Sequence, residues 1–339
     1  MTRTVVVWFR REMRLSDNPA IEAAGGSDIV PVYIHSPDEE GDWRAGAASR
    51  WWLHHSLTAL DADLRMRGSR LVIRRGPAAE ALERLVRETG ASALHFHRSY
   101  EPWAQAQETS VTTALARVGC TVRAYEAVLL TDPDTLRNAS GRPFQVFTPF
   151  YRALLQRLAA DGVAAAGSAP AHLAGTALGL DTLTIESLDL LPRVPWDRGF
   201  HDVWTPGEAG AHRRLDAFLE RSGGAYGKLR DRPDHDGVSR LSPHQHFGEV
   251  GPRQIWLAAR DTLNSEAFTR QLAWREFSYH LLHHFPATPS EPLRPEFAAF
   301  PWQSDSRALR AWQRGLTGYP IVDAGMRQLW TTGWMHNRV

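Results

Sequence analysis

A chain of 339 residues has room for two domains that each bury their own core. Hydrophobic residues at 43% and charged residues at 23% are the proportions of a folded globular protein and exclude a disordered or fibrous one. A formal charge of +1 leaves any basic surface to local segregation of charge, a single cysteine (Cys120) excludes an internal disulfide, and no apolar run is long enough to span a bilayer.

From residue 4 to residue 125, short β-branched runs at 5–9, 29–33, 71–74, 93–96 and 121–125 alternate with helical stretches. That rhythm predicts a parallel sheet with crossover helices, so residues 1–130 are expected to form an α/β, Rossmann-like domain. Gly76-Pro77 and Gly90 mark the start and stop of one such helix. The first strand ends in Trp8-Phe9-Arg10-Arg11 without a glycine-rich turn, so a dinucleotide fingerprint is absent. Residues 158–180 are rich in alanine, glycine and proline and are followed by prolines at 192, 195 and 206. We therefore expect a connector over 131–205.

Beyond it the pattern is helical: 209–222, 243–247, 252–263, 266–284, 306–315 and 321–331. Residues 206–339 should form an all-α domain. With no signal pattern at the N-terminus and one cysteine, the expected compartment is the reducing cytoplasm.

Three constellations could carry chemistry. In Val238-Ser239-Arg240-Leu241-Ser242-Pro243, Ser242 suits an N-cap and Pro243 a first helical turn, and Ser239 and Arg240 add a hydroxyl and a guanidinium ahead of that end. Such a helix start suits a phosphate, or it is an ordinary capped helix. In the helix at 266–284, Gln271, Trp274, Arg275 and Ser278 share one face, while Phe268, Leu272, Phe277, Leu281 and Leu282 make the rest apolar. That polar stripe faces a cavity or partner, or Trp274 is simply core with Arg275 on the surface. The run Thr331-Thr332-Gly333-Trp334-Met335-His336-Asn337-Arg338 is rich in groups that stack or donate hydrogen bonds, and His336 has no second ligand at zinc-like spacing. Thirteen tryptophans and fifteen histidines suggest uses for rings beyond packing, in stacking or electron hopping.

These segments, with Arg14-Leu15-Ser16-Asp17-Asn18, Trp274-Arg275-Glu276-Phe277 and Thr317-Gly318-Tyr319-Pro320-Ile321-Val322-Asp323-Ala324, resemble in content and order the photolyase and cryptochrome family. The resemblance implies an N-terminal antenna domain and a helical domain holding a U-shaped FAD. It places Tyr226, Val238, Ser239, Arg240, Leu241 and Ser242 around the cofactor, with Phe268 and Arg275 close by; Val238 stands where many relatives carry threonine.

It further implies UV-damaged DNA as partner, bound by a monomer, with a flipped cyclobutane pyrimidine dimer stacked on Trp274 beside Gln271, Ser278 and Asn337. Arg230, Arg275 and Arg338 would grip the DNA backbone, and Trp302 would be the outermost tryptophan of a chain that photoreduces the flavin. The implied activity is light-driven electron transfer from reduced FAD that splits the dimer, Trp274 and Asn337 serving catalysis, without a metal.

A cryptochrome photoreceptor of the same fold is the alternative, since Gln271 occupies a place where dimer-repairing relatives usually carry glutamate, and repair of the other photoproduct class is a third. Tyr100-Glu101-Pro102-Trp103 lacks the asparagine of many folate-binding members, which leaves methenyltetrahydrofolate, 8-hydroxy-deazaflavin or no antenna pigment open. The chain stops at Val339 inside the last motif, so acidic ribose contacts, an asparagine beside the flavin and two inner tryptophans would lie beyond it, and this segment alone would hold FAD weakly in an open cavity.

Overall fold

A computed structural model describes residues 3–173, 175–262 and 266–339. The N-terminal part runs β1 (Thr4–Phe9), α1 (Pro19–Glu22), β2 (Asp28–His35), α2 (Ala47–Met66), β3 (Val72–Arg75), α3 (Ala78–Thr89), β4 (Ala93–His97), α4 (Pro102–Arg117) and β5 (Thr121–Tyr125). All neighbouring strands are parallel, in the order β3-β2-β1-β4-β5. Successive residues of β1 point to opposite faces, so Val5, Val7 and Phe9 pack with Leu57, Leu60 and Leu64 of α2, whereas Val6 and Trp8 pack with Leu82 and Leu85 of α3 and Leu115 of α4. As the sequence predicts, α3 follows Pro77 and stops where Gly90 turns left-handed (φ 63°).

The stretch read as a connector is more than that. It contains α5 (Phe147–Asp161), whose Phe147, Phe150, Tyr151, Leu154 and Leu158 recur at helical spacing and enter the core of the helical part. Its later half lies against the sheet, with Leu173, Leu188 and Leu190 in the α2-side core.

The helices that follow are α6 (Arg198–His201), α7 (Glu208–Arg221), α8 (Tyr226–Leu229), α9 (Ser242–His246), α10 (Pro252–Thr262), α11 (Glu266–His284), α12 (Ser306–Gln313) and α13 (Pro320–Thr332). No strand occurs among the described residues beyond 206. The helix expected over 252–263 is observed to Thr262, and Leu263 lies outside the described residues.

The two parts meet along a polar seam. Glu249, fully buried, accepts hydrogen bonds from Trp52 Nε1 (3.0 Å), Ser56 Oγ (2.8 Å) and the Gly207 amide (2.7 Å), and pairs with His244 Nδ1. The buried Arg14 donates to the Gly248 carbonyl at 2.9 Å, and the Met13 amide donates to the Phe247 carbonyl at 3.0 Å. At Gly248 (φ 60°) a Cβ would stand 2.3 Å from the Arg11 carbonyl oxygen, so only glycine allows this approach. On the opposite side Glu276 Oε2 accepts from the Leu130 amide at 2.8 Å.

Candidate functional site

Three helices contribute a ring floor. Tyr226, the first residue of α8, is buried edge-on to Phe268 of α11 with centroids 5.3 Å apart, and both meet Phe218 of α7 at 5.8 and 4.8 Å. Burial raises the Tyr226 hydroxyl above its usual pKa, so it stays protonated as a donor.

The loop that leads into α9 runs beside this floor. Leu241 is fully buried and anchors it, and Val238 packs against the same core. Arg240 adopts φ 52°, a left-handed conformation that costs a side-chain-bearing residue of order 1 kcal/mol. This turn carries its guanidinium over the Trp334 ring (5.0 Å) and to Asp236 (3.1 Å), and leaves Nε buried without a partner. Ser239 Oγ accepts from the Leu241 amide at 3.4 Å.

The expected capping is corrected here. Ser242 is the first helical residue, not the cap; Leu241 holds the cap position in a helical conformation, and no side chain caps α9. A helix of five residues supplies little dipole, so positive charge at this loop comes from guanidiniums. A cleft of about 630 Å³ between α7 and the loop is lined by Arg213, Arg214, Arg221, Asp236 and Ser239. Arg214 titrates below the usual arginine value, first through burial and then through the nearby Arg240. Crowded cations, one opposing carboxylate and a hydroxyl line this cleft, with Arg240 tied to Asp236 at its edge, a set that fits a dinucleotide's diphosphate.

On α11 the face read from the sequence divides. Trp274 is 44% exposed, and its indole lies flat on Phe147 of α5, centroids 3.6 Å apart and planes 6° from parallel. Gln271 is half-buried on the same flank, and Ser278 is exposed with its hydroxyl bonded to the Trp274 carbonyl at 3.0 Å. Arg275, expected near the cofactor and the DNA, is tied on another side. Its guanidinium donates to the Val128 carbonyl at 2.6 Å and lies 4.8 Å over Tyr279, on the seam side of the helix. Thus neither half of the default reading holds: Trp274 is the half-open residue and Arg275 the tied one. The remaining circumference is not wholly apolar either, for Glu276 and His280 are buried within it. Desolvation pushes Glu276 up to about 7, against the opposing pull of Arg275.

The last motif folds back on α8. His336 is buried, and its Nδ1 accepts from the Arg338 amide at 3.2 Å. Arg338 Nε donates to Asp231 at 2.6 Å, and Arg230 Nε reaches the same carboxylate at 3.3 Å. Asp231 therefore holds together the two arginines expected to grip a phosphate backbone, and the Arg338 bond keeps its carboxyl below the usual range. Asn337 is exposed beside them. Trp302 is 82% exposed and meets Phe300 at 4.7 Å. Asp323, in the motif 317–324, accepts from the Thr317 amide (2.7 Å) and the Gly318 amide (3.0 Å) and so fixes the entry to α13.

Sequence reasoning missed Phe147, Asp231 and the α7 arginines. Only Phe147 left a signal, as the first of a helically spaced apolar series.

A second cleft of about 930 Å³ opens at the carboxyl ends of β1 and β2, beside the point between β1 and β4 where the strand order reverses. It is lined by Arg10, Arg11, Tyr33, Trp43, Trp103 and Gln107 among others, and Arg11 Nη1 is paired to Glu101.

Residues 5–171 match the family model of DNA photolyase, and residues 268–339 match that of the FAD binding domain of DNA photolyase. The chain is 42% identical over its whole length to a deoxyribodipyrimidine photo-lyase of Agrobacterium fabrum, of which it covers 71%. It is 33% identical to cryptochrome-2 of Arabidopsis thaliana, spanning 58% of that protein. The crystal structure of a bacterial class III photolyase from Agrobacterium tumefaciens superposes on all of the chain and 71% of its own with a TM-score of 0.92 at 40% identity.

Proposed function

Because the chain belongs to the DNA photolyase and cryptochrome family and carries part of its FAD-binding domain, we propose that the protein uses light to split cyclobutane pyrimidine dimers in UV-damaged DNA. The observation that carries this reading is Trp274, whose indole is braced on one side by Phe147 and open on the other. A base turned out of the duplex stacks on such a plane with about 1–3 kcal/mol. Gln271, next to it, offers an amide that both donates and accepts toward base edges, and Asn337 offers a second. Arg230 and Arg338 supply charge for the DNA backbone once Asp231 yields them.

FAD, when bound, supplies the photoexcited electron donor. In this proposal Ser239, Arg240 and the α7 arginines hold its diphosphate, while Tyr226, Phe268 and Leu241 exclude water from its rings. Val238 and Ser242 complete the rim, and Trp302 offers a surface ring through which an electron can enter. The cleft at β1 and β2 suits a planar antenna pigment between Trp43, Trp103 and Tyr33.

The test is to irradiate the flavin-loaded, reduced protein with an oligonucleotide containing a single thymine dimer. Monomeric thymines are expected in light and none in darkness. Intact flavin photochemistry without thymine monomers would end this reading and favour a photoreceptor, to which the similarity to a plant cryptochrome also points.

A further inference from the structure

One cluster of side chains has no part in the function proposed above. The last turn of α11 carries His280, His283 and His284, and the short 3-10 helix Pro133–Thr135 brings Asp134 against it. Donor atoms of Asp134, His283 and His284 all lie within 4.8 Å of one another. His283 Nε2 stands 3.1 Å from Asp134 Oδ2, the separation of two neighbouring ligands around an ion with bonds of about 2.0–2.1 Å. Arg137 holds the other carboxylate oxygen at 2.7 Å and so orients Oδ2 toward the rings. His284 Nε2 lies 3.1 Å from the Pro133 carbonyl, a hydrogen bond that the ion would replace.

The Nδ1 atoms of His280 and His283 are buried without partners, and His280, 1% exposed, lies 4.4 Å from the His284 ring.

We propose that Asp134, His283 and His284 bind one divalent transition ion such as zinc, with the remaining position open to water. Two imidazoles and one carboxylate select such an ion over magnesium or calcium. Bound there, it would clamp the segment after β5 to the helix that presents Trp274. The proposal does not rest on the repair reading, because its readout involves neither flavin nor light.

To test it, the metal-stripped full chain is titrated with Co²⁺, followed by visible absorption, and with Zn²⁺ by calorimetry. Saturation at one equivalent is expected, with Asp134→Asn and His284→Ala each weakening binding by at least about 10-fold and His235→Ala, in an exposed loop, leaving it unchanged. Failure of the unmutated chain to saturate at one equivalent overturns the proposal whether or not the variants fold. Equal affinity in folded variants, verified by circular dichroism, overturns it as well.

Discussion

The seam between the sheet and the helices differs in kind from the open flank of α11. At the seam the Glu249 carboxylate is consumed by donors from three other residues and by His244, and Gly248 lets two backbones touch. On the flank, Trp274 keeps a free face, and Arg230 and Arg338 share a single exposed carboxylate. Saturated groups hold a fold, whereas groups with capacity to spare can receive something else.

Substitutions sharpen that contrast. Glu249→Ala removes the shared acceptor of three neutral donors and His244, and should destabilise the protein by about 3–5 kcal/mol in denaturant unfolding. A loss below 1 kcal/mol would mean that the seam is not held by this carboxylate.

Glu276 is the seam's unsaturated member, with Oε1 buried and lacking a hydrogen bond. Its folded pKa of about 7 lies above the ordinary 4.5, so the folded state binds the proton more tightly and stability falls as pH rises from 4.5 to 7. Glu276→Gln should abolish that fall and stabilise the protein at pH 8 by up to about 3 kcal/mol. Thermal unfolding across pH checks it, and an unchanged pH profile would count against the buried charge.

On the open flank the effects on folding shrink while those on binding grow. Trp274→Ala should cost about 1 kcal/mol of stability, from the lost stack on Phe147, but weaken binding of dimer-containing DNA more than that of intact DNA. Equal losses for both DNAs would make Trp274 a packing residue. Asp231→Asn should leave stability essentially unchanged and tighten DNA binding with a steeper dependence on salt, because both arginines are released. Filter binding over a salt series measures it.

Much of the framework was legible in the sequence. The five strands follow from β-branched runs, and α11 begins and ends where periodicity places it. Pro77 and Gly90 punctuate α3 through local backbone preferences that need no partner. What escaped depends on residues distant in sequence. The aromatic run at Phe147, Phe150 and Tyr151 carried a helical period, yet its alanine-, glycine- and proline-rich surroundings disguised it as linker. Arg275 shares the helical face of Gln271 and Trp274, but a carbonyl at Val128 draws its long side chain to the other side. Ser242 has the composition of a cap, and the left-handed turn at Arg240 starts the helix one residue early. Asp231 lacks any local signature, since its role exists only when residue 338 folds back onto it.

The Phe147–Trp274 stack gives the flank a polarity. With one side of the indole sealed, a planar guest can approach from a single direction only. Two rings joined by covalent bonds cannot both lie flat against the same indole, so one member of the pair must lead and the other must trail. An asymmetric lesion would then enter in one orientation, and labelling its two halves differently would reveal which strand direction the surface selects.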